Sequence, residues 1–317
     1  MTGGTDQAQR LRGGLATTGT GTGTVALLSA ALAALLAGTW LLSGALADTA
    51  PPMAVAAGRT GFCFVTLLAV AAASASGRAG VRTAAARPGT AVLLGFLGFF
   101  AYAAGTLAAM PLIGTSRTNL VVALLPCLSF LLGVAFFRER GGARKALGTA
   151  TAAAAAFGYA AVNGGAAGGD TSTGDLTLGI GLAFGSTLGF ALYGFVYRSR
   201  LSHVTPLAAL PVVLGPATVM LLPLALPVLG EVTAGEWLGI AVLGVVVYAP
   251  AYVVQHRLIL LRGPLFTAAV TLIVPFLVRL SGWGLGLETA PGALELLLLA
   301  ACSAGIWLVV SRPAPAR

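Results

Sequence analysis

Ten stretches dominated by apolar side chains recur along the chain, at about 24–47, 53–75, 90–110, 118–137, 146–163, 176–197, 207–229, 238–256, 264–286 and 293–310. Each is near the ~20 residues that an α-helix needs to cross the ~30 Å hydrocarbon core of a bilayer. Lipid offers no hydrogen bonds to a bare backbone, so helices, which satisfy their own, are the expected form. Polar residues gather between the runs. This pattern predicts an all-α integral membrane protein with ten transmembrane helices. Its expected organisation is a flexible cytoplasmic tail over 1–23, a five-helix block over 24–163, an outer linker over 164–175, a second five-helix block over 176–310, and a cytoplasmic tail over 311–317. Arg10 and Arg12 precede the first run, and Ala45-Leu46-Ala47 resembles a signal cleavage site. The run exceeds the usual 7–15-residue core of a signal, so it is read as a spanning helix.

Composition agrees. Of 317 residues, 57% are hydrophobic and 9% charged, against roughly 45–50% and about 25% in a soluble domain. So few charges cannot coat a soluble surface of this size. The net charge of +9 suggests nucleic acid until the placement of the charges is considered. With the N-terminus inside, the inner segments carry 15 of the 18 basic residues: Arg10, Arg12, Arg78, Arg82, Arg87, Arg138, Arg140, Arg144, Lys145, Arg198, Arg200, Arg257, Arg262, Arg312 and Arg317. Asp48, Asp170, Asp175, Glu231, Glu236 and Glu288 fall in outer segments. Basic residues in short loops stay on the cytoplasmic side. The expected setting is therefore the plasma membrane, with both termini cytoplasmic, the lipid bilayer as partner and no nucleic acid.

The two blocks share a pattern. Pro126, Gly133 and Glu139 follow one another as P-x6-G-x5-E, and so do Pro275, Gly282 and Glu288. The first set runs toward the inside and the second toward the outside, as inverted repeats require. Inverted repeats are a common construction of secondary transporters, with the substrate site near the midplane.

Several stretches carry a family likeness: Gly38-Thr39-Trp40 through Ala50-Pro51-Pro52 to Arg59, and Thr115 to Glu139 with Leu125-Pro126 and Arg138-Glu139-Arg140. Gly148 follows, and Pro275 to Glu288 is a weaker second copy. Over about 24–310 the sequence resembles the EamA-like branch of the drug/metabolite transporter superfamily. The resemblance implies two inverted five-helix repeats, a central cavity between them and alternating access. It also implies export of amino acids, other metabolites or drugs. Asn119 and Arg279 depart from the family pattern and bear on substrate class.

Arg59 and Arg279 lie within helices, each about 10 Å from an outer end at 1.5 Å per residue. Charges at such depth are rare and mark function or snorkel to the interface. The functional reading is an electropositive outer cavity for a carboxylate or other anion, with Arg117 at its mouth. Glu295 is a candidate ion-pair partner for Arg279. Glu139 and Glu288 are candidate proton carriers or helix-closing residues. Trp40, Tyr102, Asn119, Tyr193, Tyr248 and Tyr252 are candidate substrate contacts, and Tyr248 and Tyr252 share a helix face at four-residue spacing. Tyr197 reads as a residue of the interfacial belt. Gly181, Gly185 and Gly189 suggest a close helix seam, and the prolines at 211, 216, 223, 227 and 250 suggest kinks. Cys63, Cys127 and Cys302 read as reduced packing residues. Gln255 and His256 at an inner helix end and His203 in a loop form no metal pattern.

There is no Walker loop, GxSxG or HExxH. No cofactor, metal or catalytic set is expected, and the chain reads as no enzyme. The function expected is a secondary transporter exporting a small amino acid-like or amphipathic solute, with protons as a candidate coupling ion. An integral-membrane lipid or isoprenoid enzyme would need carboxylates or histidines gathered at one face, where the inner loops hold mainly arginine. A non-transporting assembly or sensor protein would need a large folded loop or tail.

Overall fold

The computed structural model describes residues 22–47, 49–138, 142–163, 173–286 and 290–311. The described residues are helical throughout, with no strand among them. In chain order they form α1 (Thr22–Ala47), α2 (Pro52–Ala72), α3 (Ala75–Ala85), α4 (Pro88–Gly95), α5 (Ala101–Val122), α6 (Leu125–Ala135) and α7 (Ala143–Asn163). Then come α8 (Thr173–Leu201), α9 (Pro206–Ala225), α10 (Ala234–Val242), α11 (Ala249–Arg262), α12 (Pro264–Thr271), α13 (Val274–Gly284) and α14 (Ala293–Val310). Two π-helical segments, Phe96–Phe100 and Leu243–Tyr248, join α4 to α5 and α10 to α11.

Among the described residues, seven helical stretches are long and apolar enough to cross a membrane: Gly23–Ser43, Pro52–Ala72, Pro88–Gly114, Thr173–Leu201, Pro206–Glu231, Ala234–Arg262 and Pro264–Gly284. Two apolar helices, Leu125–Ala135 and Ala293–Val309, are shorter. α7 has the length but is built largely of alanine, whose small side chain contributes little apolar surface.

Local chemistry sets the boundaries. Proline opens α2, α4, α9 and α12, where its missing N–H has no helical partner to lose. Ser74 caps α3 by accepting from the Gly77 N–H at 3.0 Å. Thr233 and Glu236 cap α10 reciprocally, the Glu236 carboxylate accepting from the Thr233 N–H at 2.7 Å. Pro211, Pro216 and Pro223 all lie inside α9, which stays helical through them.

Breaks of the same kind recur in both halves. Gly114 has φ 81° and Gly263 has φ 96°, a backbone region open to glycine but strained for other residues. Each glycine precedes a proline-led helix, Leu125-Pro126 or Val274-Pro275, by the same number of residues. The π segments stand at nearly the same offset. Packing partners correspond too. α8 lies along the first π segment, α5 and α6, while α1 lies along the second π segment, α11, α12 and α13. α2 pairs with α9, and α7 with α14.

The α7–α14 pair packs backbone against backbone. A Cβ at Gly305 would stand 2.5 Å from the Ala152 backbone nitrogen, and one at Gly148 would stand 2.7 Å from the Gly305 carbonyl oxygen. The seam expected at Gly181, Gly185 and Gly189 is not where α8 makes its close approaches. Gly181 and Gly185 have nothing within 4 Å, and Gly189 makes only ordinary contact with Leu97. Close approach occurs instead at Gly179, beside Ile113, and at Gly194, beside Pro264. α8 therefore turns a different face to its neighbours than the regular spacing suggested. Cys63, Cys127 and Cys302 are free thiols, two buried and one half-buried.

Candidate functional site

The main buried core lies where α2, α8, α9, the two π segments and α11 meet. Inside it, polar and aromatic side chains form a continuous column. A π segment widens the helix by one residue per turn and re-aims the side chains that follow. The first such segment carries Phe99 and presents Tyr102 just beyond it; the second ends on Tyr248. A glycine in each admits its neighbour. A Cβ at Gly98 would stand 2.5 Å from the Tyr193 ring, and one at Gly244 would stand 2.7 Å from the Arg59 carbonyl oxygen. These two close approaches bring Tyr193 and Arg59 onto the column.

Arg59 heads the column from the second turn of α2. Its Nη1 donates to the Tyr248 hydroxyl, and its guanidinium carbon lies 4.6 Å from the centre of the Tyr248 ring. Its Nε is fully enclosed and has no hydrogen-bond partner. Among the described residues no carboxylate pairs with it. Tyr248 packs on Tyr252 at 5.1 Å between ring centres, Tyr252 on Phe99 at 5.1 Å, and Phe99 on Tyr193 at 5.6 Å. Tyr102 joins from the side, 4.7 Å from Phe190, which stacks on Tyr193.

The column ends on His256, which is 1% exposed. Its Nδ1 lies 2.6 Å from the Tyr252 carbonyl oxygen. A carbonyl only accepts, so Nδ1 carries a proton, and in the neutral ring Nε2 accepts from the Tyr193 hydroxyl. Tyr197 packs on the same imidazole at 4.5 Å and is fully buried. It is thus a core residue, not the interfacial one expected. Tyr248, Tyr252 and His256 follow at four-residue spacing, so one face of α11 and its π lead-in supplies half of the column.

Arg279 sits elsewhere. Its Nε lies 3.1 Å from Glu295 Oε1, tying α13 to α14. Glu295 Oε2 also accepts from the Gly292 N–H at 2.8 Å and so caps α14. This arginine has a compensating charge; Arg59 has none among the described residues. Arg117, beyond the break at Gly114, is exposed, and Trp40 on α1 is half exposed. Neither touches the column. Glu139, Glu288 and the side chain of Asn119 lie outside the described residues. The structure thus brings together Arg59, Tyr102, Tyr193, Tyr248 and Tyr252 from among the expected site residues, and adds Phe99, Phe190, Tyr197 and His256. Among the described residues no three of His, Cys, Asp and Glu gather as metal ligands.

Chemically, the column offers a cation, several hydroxyls and aromatic faces in a water-poor setting. That set suits reversible binding of an anion attached to a flat or apolar body.

Residues 24–160 match the model of the EamA-like transporter family. The fold is shared more widely. One solved crystal structure of a protein is similar over 91% of this chain and 98% of its own, with a TM-score of 0.75 and 18% identity. No curated protein matches the sequence. The chain is therefore a multi-pass helical membrane protein, similar over its first half to the EamA-like family.

Proposed function

We propose that the protein is a secondary transporter exporting a small organic anion, amino acid-like or otherwise amphipathic, by alternating access. The observation that carries this reading is Arg59: a half-buried cation with an enclosed Nε and no carboxylate partner among the described residues, surrounded by tyrosines, where the two halves of the chain meet. Unpaired charge in such a place is destabilising, and a bound anion would supply the missing partner.

In this reading the ten apolar runs are ten spans, and 24–163 and 176–310 are repeats of opposite orientation. The repeated glycine breaks, proline-led helices and π segments support the repeat, and the arginine distribution supports inner loops and cytoplasmic termini in the plasma membrane. Rocking of one half against the other would open the Arg59 end and the His256 end of the column in turn. The reading assigns no coupling ion to Glu139 or Glu288.

The test is an untargeted comparison of metabolites in the medium of cells with and without the protein, together with cells producing Arg59→Gln. One or more organic anions should accumulate outside only with the unaltered protein. Equal exported profiles in all three, with both proteins present in the membrane, would overturn the proposal.

A further inference from the structure

A cavity borders Tyr193 of the column, among α6, α8, α11 and α12, with a volume of about 30 Å³. By this measure a water needs roughly 10–15 Å³, so the space takes about two waters or the end of a small organic group. Its polar lining is Ser129, Tyr193, Gln255, Thr267 and Thr271. Three of these are engaged. The Tyr193 hydroxyl donates to His256, Thr267 Oγ1 donates to the Gly263 carbonyl at 3.1 Å, and Thr271 Oγ1 donates to the Ala268 carbonyl at 2.8 Å. Ser129 and Gln255 are not. They are 1% and 8% exposed, and neither makes a hydrogen bond among the described residues. Buried polar groups nearly always have partners, and two such groups facing one cavity define a place for a ligand atom.

The kind of ligand follows from what is missing. Tyrosine is the only ionisable side chain in the lining, so nothing there balances a charge, and a buried charge without a partner is strongly disfavoured. A carboxamide is matched well. The Gln255 amide both donates and accepts, and the Ser129 hydroxyl does either. Gln255 lies seven positions after Tyr248, hence about 10 Å further along the helix axis.

We infer that the Ser129–Gln255 cavity is a second binding subsite, taking an uncharged hydrogen-bonding group such as a carboxamide or hydroxyl of the transported solute. This rests on the transporter reading for its purpose, while its chemistry can be tested without transport. Arg59 takes the anionic end of a solute, and the inner subsite discriminates among solutes by their neutral polar group.

Iodoacetamide and iodoacetate are of nearly equal size, and a thiolate displaces iodide from the same carbon in each. Ser129→Cys is introduced into full-length protein carrying Cys63→Ala, Cys127→Ala and Cys302→Ala, in membrane vesicles, and rates are normalised to glutathione in the same buffer. Cys at 129 should react at least about 10-fold faster with iodoacetamide than with iodoacetate. Gln255→Met should lower the iodoacetamide rate roughly 3- to 10-fold, the worth of one hydrogen bond, and leave the iodoacetate rate unchanged. Acetamide, but not acetate, should protect the thiol, an arm that needs no change at Gln255. Equal normalised rates, absence of reaction, or no protection by acetamide would mean that the cavity holds water only, and would overturn the inference. Arg59→Gln should leave all these rates unchanged, so failure of the outer site and failure of this one are separable.

Discussion

Replacing Arg59 by glutamine separates the two things a half-buried arginine can do. If it binds an anion, the loss should appear in function and scarcely in stability. Hydrogen bonds to a charged group are worth about 1.5–3 kcal/mol, which corresponds to a roughly 10- to 150-fold weaker affinity for the anionic solute. On the stability side the terms oppose one another. The variant forfeits the contact with the Tyr248 ring, worth about 0.5–2 kcal/mol, and the hydrogen bond to the Tyr248 hydroxyl. It also removes a half-buried cation whose enclosed Nε has no partner among the described residues, and relief of that desolvation penalty offsets much of the loss. The expected net change is within about 1 kcal/mol, well below the 3–5 kcal/mol of a broken buried ion pair. Solute counterflow in vesicles gives KM, and thermal unfolding of the purified protein gives stability. The expected outcome is a KM raised at least 10-fold with near-normal unfolding. A normal KM, or unfolding weakened by several kcal/mol, would refute the reasoning and make Arg59 a structural residue.

Further outcomes follow from packing and charge. Gly305→Ala should destabilise the protein by about 1–3 kcal/mol, because the new Cβ meets the Ala152 backbone at 2.5 Å; Gly185→Ala, with nothing within 4 Å, should be neutral or gain up to about 1 kcal/mol from helix propensity, both read by thermal unfolding. Gly244→Ala should lower transport and stability together, since its Cβ meets the Arg59 carbonyl at 2.7 Å and shifts α2 against the second π segment. Glu295→Met should cost more than the double variant Arg279→Met/Glu295→Met, because a pair removed whole leaves no unbalanced charge; a double variant as unstable as the single would count against it. His256→Phe should destabilise by about 1–3 kcal/mol by leaving the Tyr193 hydroxyl without its acceptor, and adding Tyr193→Phe should recover part of that loss.

Much of the fold could be read from hydropathy, because a run of apolar side chains long enough to cross lipid is a property of composition alone. Breaks within runs were less visible. The fourth run, 118–137, is not one helix: α5 extends to Val122 past the break at Gly114, and α6 starts anew at Leu125. Hydropathy counts side chains and is blind to φ, so Gly114 looked like any other small residue. The π segments were invisible for the same reason. Arg59, Tyr248 and Tyr252 were legible as a rare charge and a shared helix face. His256 continues the same four-residue spacing but reads from the sequence as an inner-end residue, since nothing there places Tyr193 of α8 opposite it. That juxtaposition depends on Gly98, where a missing Cβ lets the Tyr193 ring onto the π segment, a tertiary fact without a local signature. Arg279 looked equivalent to Arg59 by depth, and only the reach of Glu295 from α14 distinguishes them.

The most direct test is movement of solutes into sealed vesicles that contain the purified protein and nothing else. With a mixture of small cellular metabolites outside, at least one organic anion should equilibrate faster than in protein-free vesicles, and faster than with Arg59→Gln. If no solute in the mixture crosses faster, while the reconstituted protein retains its cooperative thermal unfolding, the account is contradicted.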